Sequence, residues 1–189
     1  AFAKAAPRRI IPTVRIKGRG YHRGPRNKYF DRLEGQLGSD PFGAMAEVHV
    51  WHDSDGGKYH EIRIDFDDEL FLAAFDAAKG KDWPLIVHME FAALSFIGKR
   101  DYMDKLETFL RSNQDHPVVM IHMAQLEEPD VRRLLAAHSN LHFMTSHASP
   151  FYQSGGKPFI NMINDGKFKP QWKKLILEYP DRFVFALDN

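Results

Sequence analysis

Two short apolar runs, PLIVHMEF (84–91) and PVVMIHMAQL (117–126), each deliver a histidine near their C-terminal ends, His88 and His122. A third run, FVFALDN, closes on Asp188. Imidazole and carboxylate together suit Zn²⁺, with Mn²⁺ and Fe²⁺ as neighbouring choices. Three protein ligands with one open position lower the pKa of bound water from about 15.7 to about 7, which makes a nucleophile at neutral pH. The chain has no cysteine and ten histidines, so any transition metal must be held by His, Asp or Glu. A single strand-end histidine is usually a hydrogen-bonded structural residue. Two in successive units, with a strand-end aspartate, read as a divalent-metal site made of His88, His122 and Asp188. His22, His60, His116 and His138 fall in loops or at helix ends and are expected to be solvated. His142 lies within a strand, its side undecided.

The elements that must position these residues alternate. Asp67 or Asp68 caps a predicted helix in which Phe71, Ala74, Phe75 and Ala78 recur at helical spacing, with Gly80 at its end. A second helix is predicted from about Arg100 to Ser112 on Tyr102, Leu106, Phe109 and Leu110. A third starts at Pro129 and buries Val131, Leu134 and Leu135 before NLHFMTS (140–146). A fourth starts near Pro170 and buries Trp172, Leu175, Ile176 and Tyr179. Earlier in the chain, Arg9–Ile16 reads as a strand despite Pro12. Met45–Trp51 reads as another, with Glu47, His49 and Trp51 on one side, Val48 and Val50 on the other, and His52 at its end. Lys58–Phe66 reads as a loop or an added strand. The Gly- and Arg-rich stretch Lys17–Phe42 reads as a solvated insertion or a substrate-binding lid.

Apolar strands alternating with helices predict a parallel sheet covered by helices. No Gly-rich phosphate-binding turn follows any strand, so a nucleotide fold has no support. About six strands are too few for a complete (β/α)8 TIM barrel, which typically takes ~250 residues. The fold expected is therefore α/β, a TIM barrel with its first one or two units absent, forming one partial domain over residues 1–189. Ala1–Ala6 reads as the last turn of a helix and the chain stops one residue after Asp188, so a longer parent protein is expected. The composition, 43% hydrophobic, is enough for a sizeable core, and the net charge of +1 gives no reason to expect nucleic acid or a membrane surface as partner. A small-molecule substrate, a cytoplasmic location and a homo-oligomer are the matching expectations.

The series PLIVHMEF, PVVMIHMAQL, NLHFMTS and EYPDRFVFALDN resembles the C-terminal two thirds of an amidohydrolase-superfamily protein of the amidohydrolase-2 branch, which contains metal-dependent hydrolases and decarboxylases. The Pro180-Asp181-Arg182 turn before the last strand strengthens the likeness. The resemblance implies that His88 and Asp188 are metal ligands. It also implies that His122 is either a ligand of a second metal or a catalytic acid/base, and that Asp188 takes a proton during the reaction. Glu47 stands where some relatives place a bridging acid, and a structural role fits it equally well. Three departures stand out. No His-x-His pair occurs in the chain, Met123-Ala124-Gln125 follows His122 where the family often has Gly-Gly, and Ala186-Leu187 precedes Asp188 where Gly-Thr or Gly-Ser is common.

The function these features imply is a metal-dependent hydrolase acting on an ester, lactone or amide. One alternative is non-oxidative decarboxylation of an aromatic or unsaturated acid. The other is a non-catalytic barrel that binds a ligand, favoured by the missing His-x-His. Glu90 is a candidate orienter of His88 or substrate contact, and Arg15 a candidate for holding a substrate carboxylate.

Overall fold

A computed structural model describes residues 11–16, 25–38, 42–54, 56–148, 153–154, 157–158, 160 and 162–186. Asp188 and the predicted helical turn at Ala1–Ala6 lie outside them, as does part of the Lys17–Phe42 stretch.

Six of the seven strands of the main sheet are parallel: β1 (Thr13–Val14), β2 (Ala44–His52), β4 (Leu85–Met89), β5 (Val118–Met120), β6 (Leu141–Met144) and β11 (Phe183–Val184). They pair in the order in which they occur along the chain. That order decides the architecture. A doubly wound sheet reverses direction at a switch point, whereas here every step adds a strand on the same side, and right-handed crossovers then put all the helices on one face. The sheet is an arc of a singly wound barrel, as the alternation of elements predicts.

One face of the short strands β4, β5 and β6 is completely buried. Leu85 and Val87 are inaccessible, as are Val118 and Met120, and their neighbours in β6, Leu141 and Phe143, complete the same layers. The crossovers follow the apolar periodicities. Helix α2 (Glu69–Gly80) starts where the Asp68 carboxylate accepts the Leu70 amide and buries Phe71, Ala74, Phe75 and Ala78. Helix α3 (Phe96–Ser112) begins a turn before the predicted Arg100, because the Ser95 hydroxyl caps it by accepting the Gly98 amide. Helices α4 (Glu128–Ala137) and α5 (Pro170–Glu178) carry a proline in their first turns and bury Val131, Leu134 and Leu135, and Trp172 and Leu175, respectively. The Arg182 side chain then donates to the carbonyls of His138 and Leu141, tying the entrance of β11 to that of β6.

The Lys17–Phe42 stretch is more structured than a solvated insertion. It contains helix α1 (Asn27–Leu37), which buries Tyr29 and Leu33 against the core. The Tyr29 hydroxyl donates to the Leu70 carbonyl of α2 at 2.6 Å. Arg26 pairs with Asp68 and Glu69 at the start of α2, so this arginine serves the fold. Lys58–Phe66 supplies β3 (Ile62–Arg63), antiparallel to β2. Because β4 takes one edge of β2, β1 and β3 share the other. β1 pairs at Ala44–Met45 and β3 at Trp51–His52. β3 therefore braces β2 where its histidines lie. The chain between β6 and α5 adds two small hairpins, β7 (Gln153–Ser154) with β8 (Lys157–Pro158), and β9 (Ile163–Asn164) with β10 (Lys167–Phe168).

Candidate metal centre

The C-terminal ends of β2, β4, β5 and β6 bring five histidines together. The ring centroid of His88 stands 4.7 Å from His49, 5.1 Å from His52 and 5.1 Å from His122. His122 in turn stacks on His147 at 4.2 Å with the planes 10° apart. His88 and His122, the two predicted from the sequence, are thus neighbours. His49, His52 and His147 were not predicted as site residues. His49 is only 2% exposed and His88 only 5%.

The β2–β4 side of the cluster is made by strand periodicity. Side chains two residues apart share a face, and each strand uses this to pair a histidine with a glutamate. In β2, His49 Nε2 lies 3.1 Å from Glu47 Oε2; after β4, His88 Nε2 lies 3.0 Å from Glu90 Oε1. The parallel register sets His49 opposite His88. The other oxygen of Glu90 accepts the Asp53 amide at 2.7 Å, and His52 Nδ1 approaches the Asp53 carbonyl at 2.7 Å. Burial alone would raise the Glu90 carboxyl; the hydrogen bonds from His88 and the Asp53 amide outweigh it and hold Glu90 below the usual carboxylate range. Two Glu-x-His type spacings on adjacent strands were a signal available in the sequence.

The β5–β6 side is made by backbone conformation. His122, Met123, Ala124 and Gln125 hold φ between 52° and 55°, a left-handed turn with no glycine in it, and His147 follows at φ 61°. In L-residues this conformation costs roughly 1–2 kcal/mol each. The family that the chain resembles often has glycines after this histidine, and here Met, Ala and Gln take the glycine-like conformation. The turn is held by burial: Met123 and Ala124 are fully enclosed. Ser146 receives His122, its hydroxyl lying 2.9 Å from Nδ1 and 3.4 Å from the His122 amide. Nδ1 also lies 3.3 Å from the Ser146 carbonyl, which can only accept, so Ser146 engages Nδ1 in either tautomer of the ring. Burial, followed by the neighbouring His88 and His147, lowers the His122 pKa to about 3, against the opposing charge of Glu47. His122 is therefore a neutral imidazole at physiological pH.

The donors fit a divalent transition ion. One ligand atom each from Glu47, His49 and His88 lie within 4.8 Å of one another, and the same holds for His52, His88 and Glu90. Neutral imidazoles with carboxylates are a borderline ligand set that suits Zn²⁺, Mn²⁺ or Fe²⁺. Nδ1 of His88 is buried and has no hydrogen-bond partner among the described residues, a costly arrangement unless another group takes its lone pair.

The remaining sequence expectations divide. Arg15 is exposed at the end of β1, where its backbone amide and carbonyl are clamped by the Gln36 side chain; it forms no ion pair with the cluster among the described residues. His60 is exposed. His116 and His138, expected to be solvated, are each only 4% exposed. His116 packs edge-on to Phe75, and His138 faces Glu107 at 3.6 Å. Each has polar residues on one side in sequence, Asp115 and Ser139, but the rings are buried among distant packing partners. His22 lies outside the described residues.

No protein-family model and no curated protein matches the chain. Among solved structures it is similar to an uncharacterized TIM-barrel protein from Bordetella bronchiseptica, with a TM-score of 0.56 and 15% sequence identity over 98% of this chain and 56% of that chain. It is also similar to 2,6-dihydroxybenzoate decarboxylase from Rhizobium, with a TM-score of 0.45 and 12% identity over 99% of this chain and 62% of that chain. The chain spans less than two thirds of either. Together with the sequential order of its parallel strands, the first likeness shows that the chain has the α/β architecture of a TIM barrel.

Proposed function

We propose that the chain is a metal-dependent hydrolase of the amidohydrolase-2 type, acting on an ester, lactone or amide. The observation that carries this reading is the gathering of His49, His52, His88, His122 and His147 with Glu47 and Glu90 at the strand ends of one barrel mouth. In parallel barrels this is the face where active sites form.

His88 and Asp188 would hold the ion that the family resemblance implies, with His122 beside it in the acid/base role that the resemblance offers as the alternative to a ligand. A divalent ion bound there supplies positive charge that acidifies water and polarises a carbonyl. The chain's own groups do the rest. Glu90 fixes the ring of His88 through Nε2. The neutral His122, in the tautomer that carries its proton on Nε2, donates to the carbonyl oxygen as negative charge builds on it. Asp188 receives the proton given up by the attacking water. Arg15, whose guanidinium has no ion-pair partner among the described residues, is the candidate for a carboxylate at the far end of the substrate.

The test is a screen of the purified protein, with Zn²⁺ or Mn²⁺ added, against esters, lactones, amides and aromatic carboxylates. Hydrolysis that is lost in both His88→Ala and Asp188→Asn supports the reading. Release of CO₂ from an aromatic acid, with no hydrolysis of any ester or lactone, would replace it with decarboxylation. A folded protein that takes up no metal would leave a barrel that only binds.

A further inference from the structure

We infer a divalent-cation site between β2 and β4 whose ligands are Glu47, His49 and His88, complete without any residue beyond β4. It deepens the metal-dependent reading and rests on it, but it names a different ligand set from His88, His122 and Asp188.

Three observations carry it. The first is proximity: one donor atom from each residue lies within 4.8 Å of the others. The 3.1 Å between His49 Nε2 and Glu47 Oε2 is close to the ~3.3 Å that separates two donors of a tetrahedral ion with bonds of about 2.0–2.1 Å. The second is the state of His88. Glu90 takes its Nε2–H at 3.0 Å, as second-shell carboxylates do for ligating histidines, and this tautomer puts the lone pair on the buried Nδ1, which has no partner among the described residues. The third is rigidity. His49 and His88 are set opposite each other by strand register, and β3 braces β2 at Trp51–His52, so the two rings need no loop to place them.

The overlapping trio of His52, His88 and Glu90 is the weaker set. Both oxygens of Glu90 are already engaged, one by His88 and one by the Asp53 amide. Glu90 therefore orients a ligand, and His52 flanks the site, its ring stacked on His88.

The experiment is Co²⁺ and Zn²⁺ binding to the purified full chain, read by elemental analysis and by the visible Co²⁺ spectrum. It compares wild type with Glu47→Gln, His49→Gln and Asp188→Asn. Circular dichroism and the metal-free Tm of each variant establish folding, with Glu47→Asp as a second variant should Glu47→Gln fail to fold. The expected result is about one ion in wild type and one retained in Asp188→Asn, Asp188 then serving as proton acceptor and not as a required ligand. Affinity should fall at least ~10-fold in Glu47→Gln and His49→Gln, with a changed Co²⁺ spectrum. Wild-type binding in Glu47→Gln and His49→Gln, with loss in Asp188→Asn, overturns the inference and leaves the metal-dependent reading intact. Loss in all three variants overturns the claim that β2 and β4 suffice. A folded wild type that binds neither ion overturns both.

Discussion

The two sides of the histidine cluster are built by opposite means. On the β2–β4 side the geometry comes from regular strand structure: alternation pairs Glu47 with His49 and His88 with Glu90, and register sets the pairs side by side. On the β5–β6 side it comes from a left-handed backbone at His122–Gln125 and again at His147. The first side concentrates carboxylates beside imidazoles. The second buries a neutral imidazole against a serine hydroxyl. On the proposed function this becomes a division of labour, with cation binding on the regular side and hydrogen bonding to an uncharged substrate group on the strained one.

The hardest blow to this comparison is His88→Ala, since His88 touches both sides. Metal content is expected to fall to background with the fold retained, as read by elemental analysis beside circular dichroism. Glu90→Gln is milder. It keeps a side chain of the same shape but loses the charge behind His88, and metal affinity is expected to fall about 10–100-fold in a competitive chelator titration. An unchanged affinity would remove Glu90 from the regular side's machinery.

Acid separates the two sides differently. In the metal-free protein the His122 ring titrates at about 3, against 6.5 for the free side chain. As pH falls below 6.5 the unfolded chain takes up the proton first. The stability contributed by the neutral ring is therefore full above about pH 6.5 and is lost progressively toward pH 3. Between pH 7 and 5 this amounts to roughly 2 kcal/mol. Urea unfolding of wild type against His122→Asn should show that difference in slope, and parallel curves would mean that His122 is not buried neutral.

The smallest effect tests backbone cost directly. Gln125 holds φ 52° and is only partly buried, so Gln125→Gly is expected to stabilise the protein by about 1 kcal/mol. The matched change Ala77→Gly, inside α2 on the other side of the arc, should destabilise it by about the same amount. Urea midpoints report both.

Much of this architecture is legible in the residues because apolar periodicity and strand-end polarity are local. Helix α2 with its Asp68 cap, helices α4 and α5, and the meeting of His88 with His122 all follow from such patterns. Helix α1 does not, since its buried face is only Tyr29 and Leu33 in a stretch of Gly and Arg. His147 could not be placed because its position depends on a positive-φ backbone, which is uncommon for any residue but glycine even where histidine is one of those that adopt it. The burial of His116 and His138 depends on packing partners distant in sequence, Phe75 and Glu107 respectively. Glu47 and His49 were legible as sharing a face of β2, but their partner His88 required the register.

The brevity of the outer strands has a consequence for behaviour in concentrated solution. β1 and β11 pair with their neighbours through only two residues each, and on the β6 side the Ala186 amide past β11 is taken by the Thr145 hydroxyl. Short edges of this kind present few free backbone groups in line, and so give another chain little template for edge-to-edge growth into aggregates.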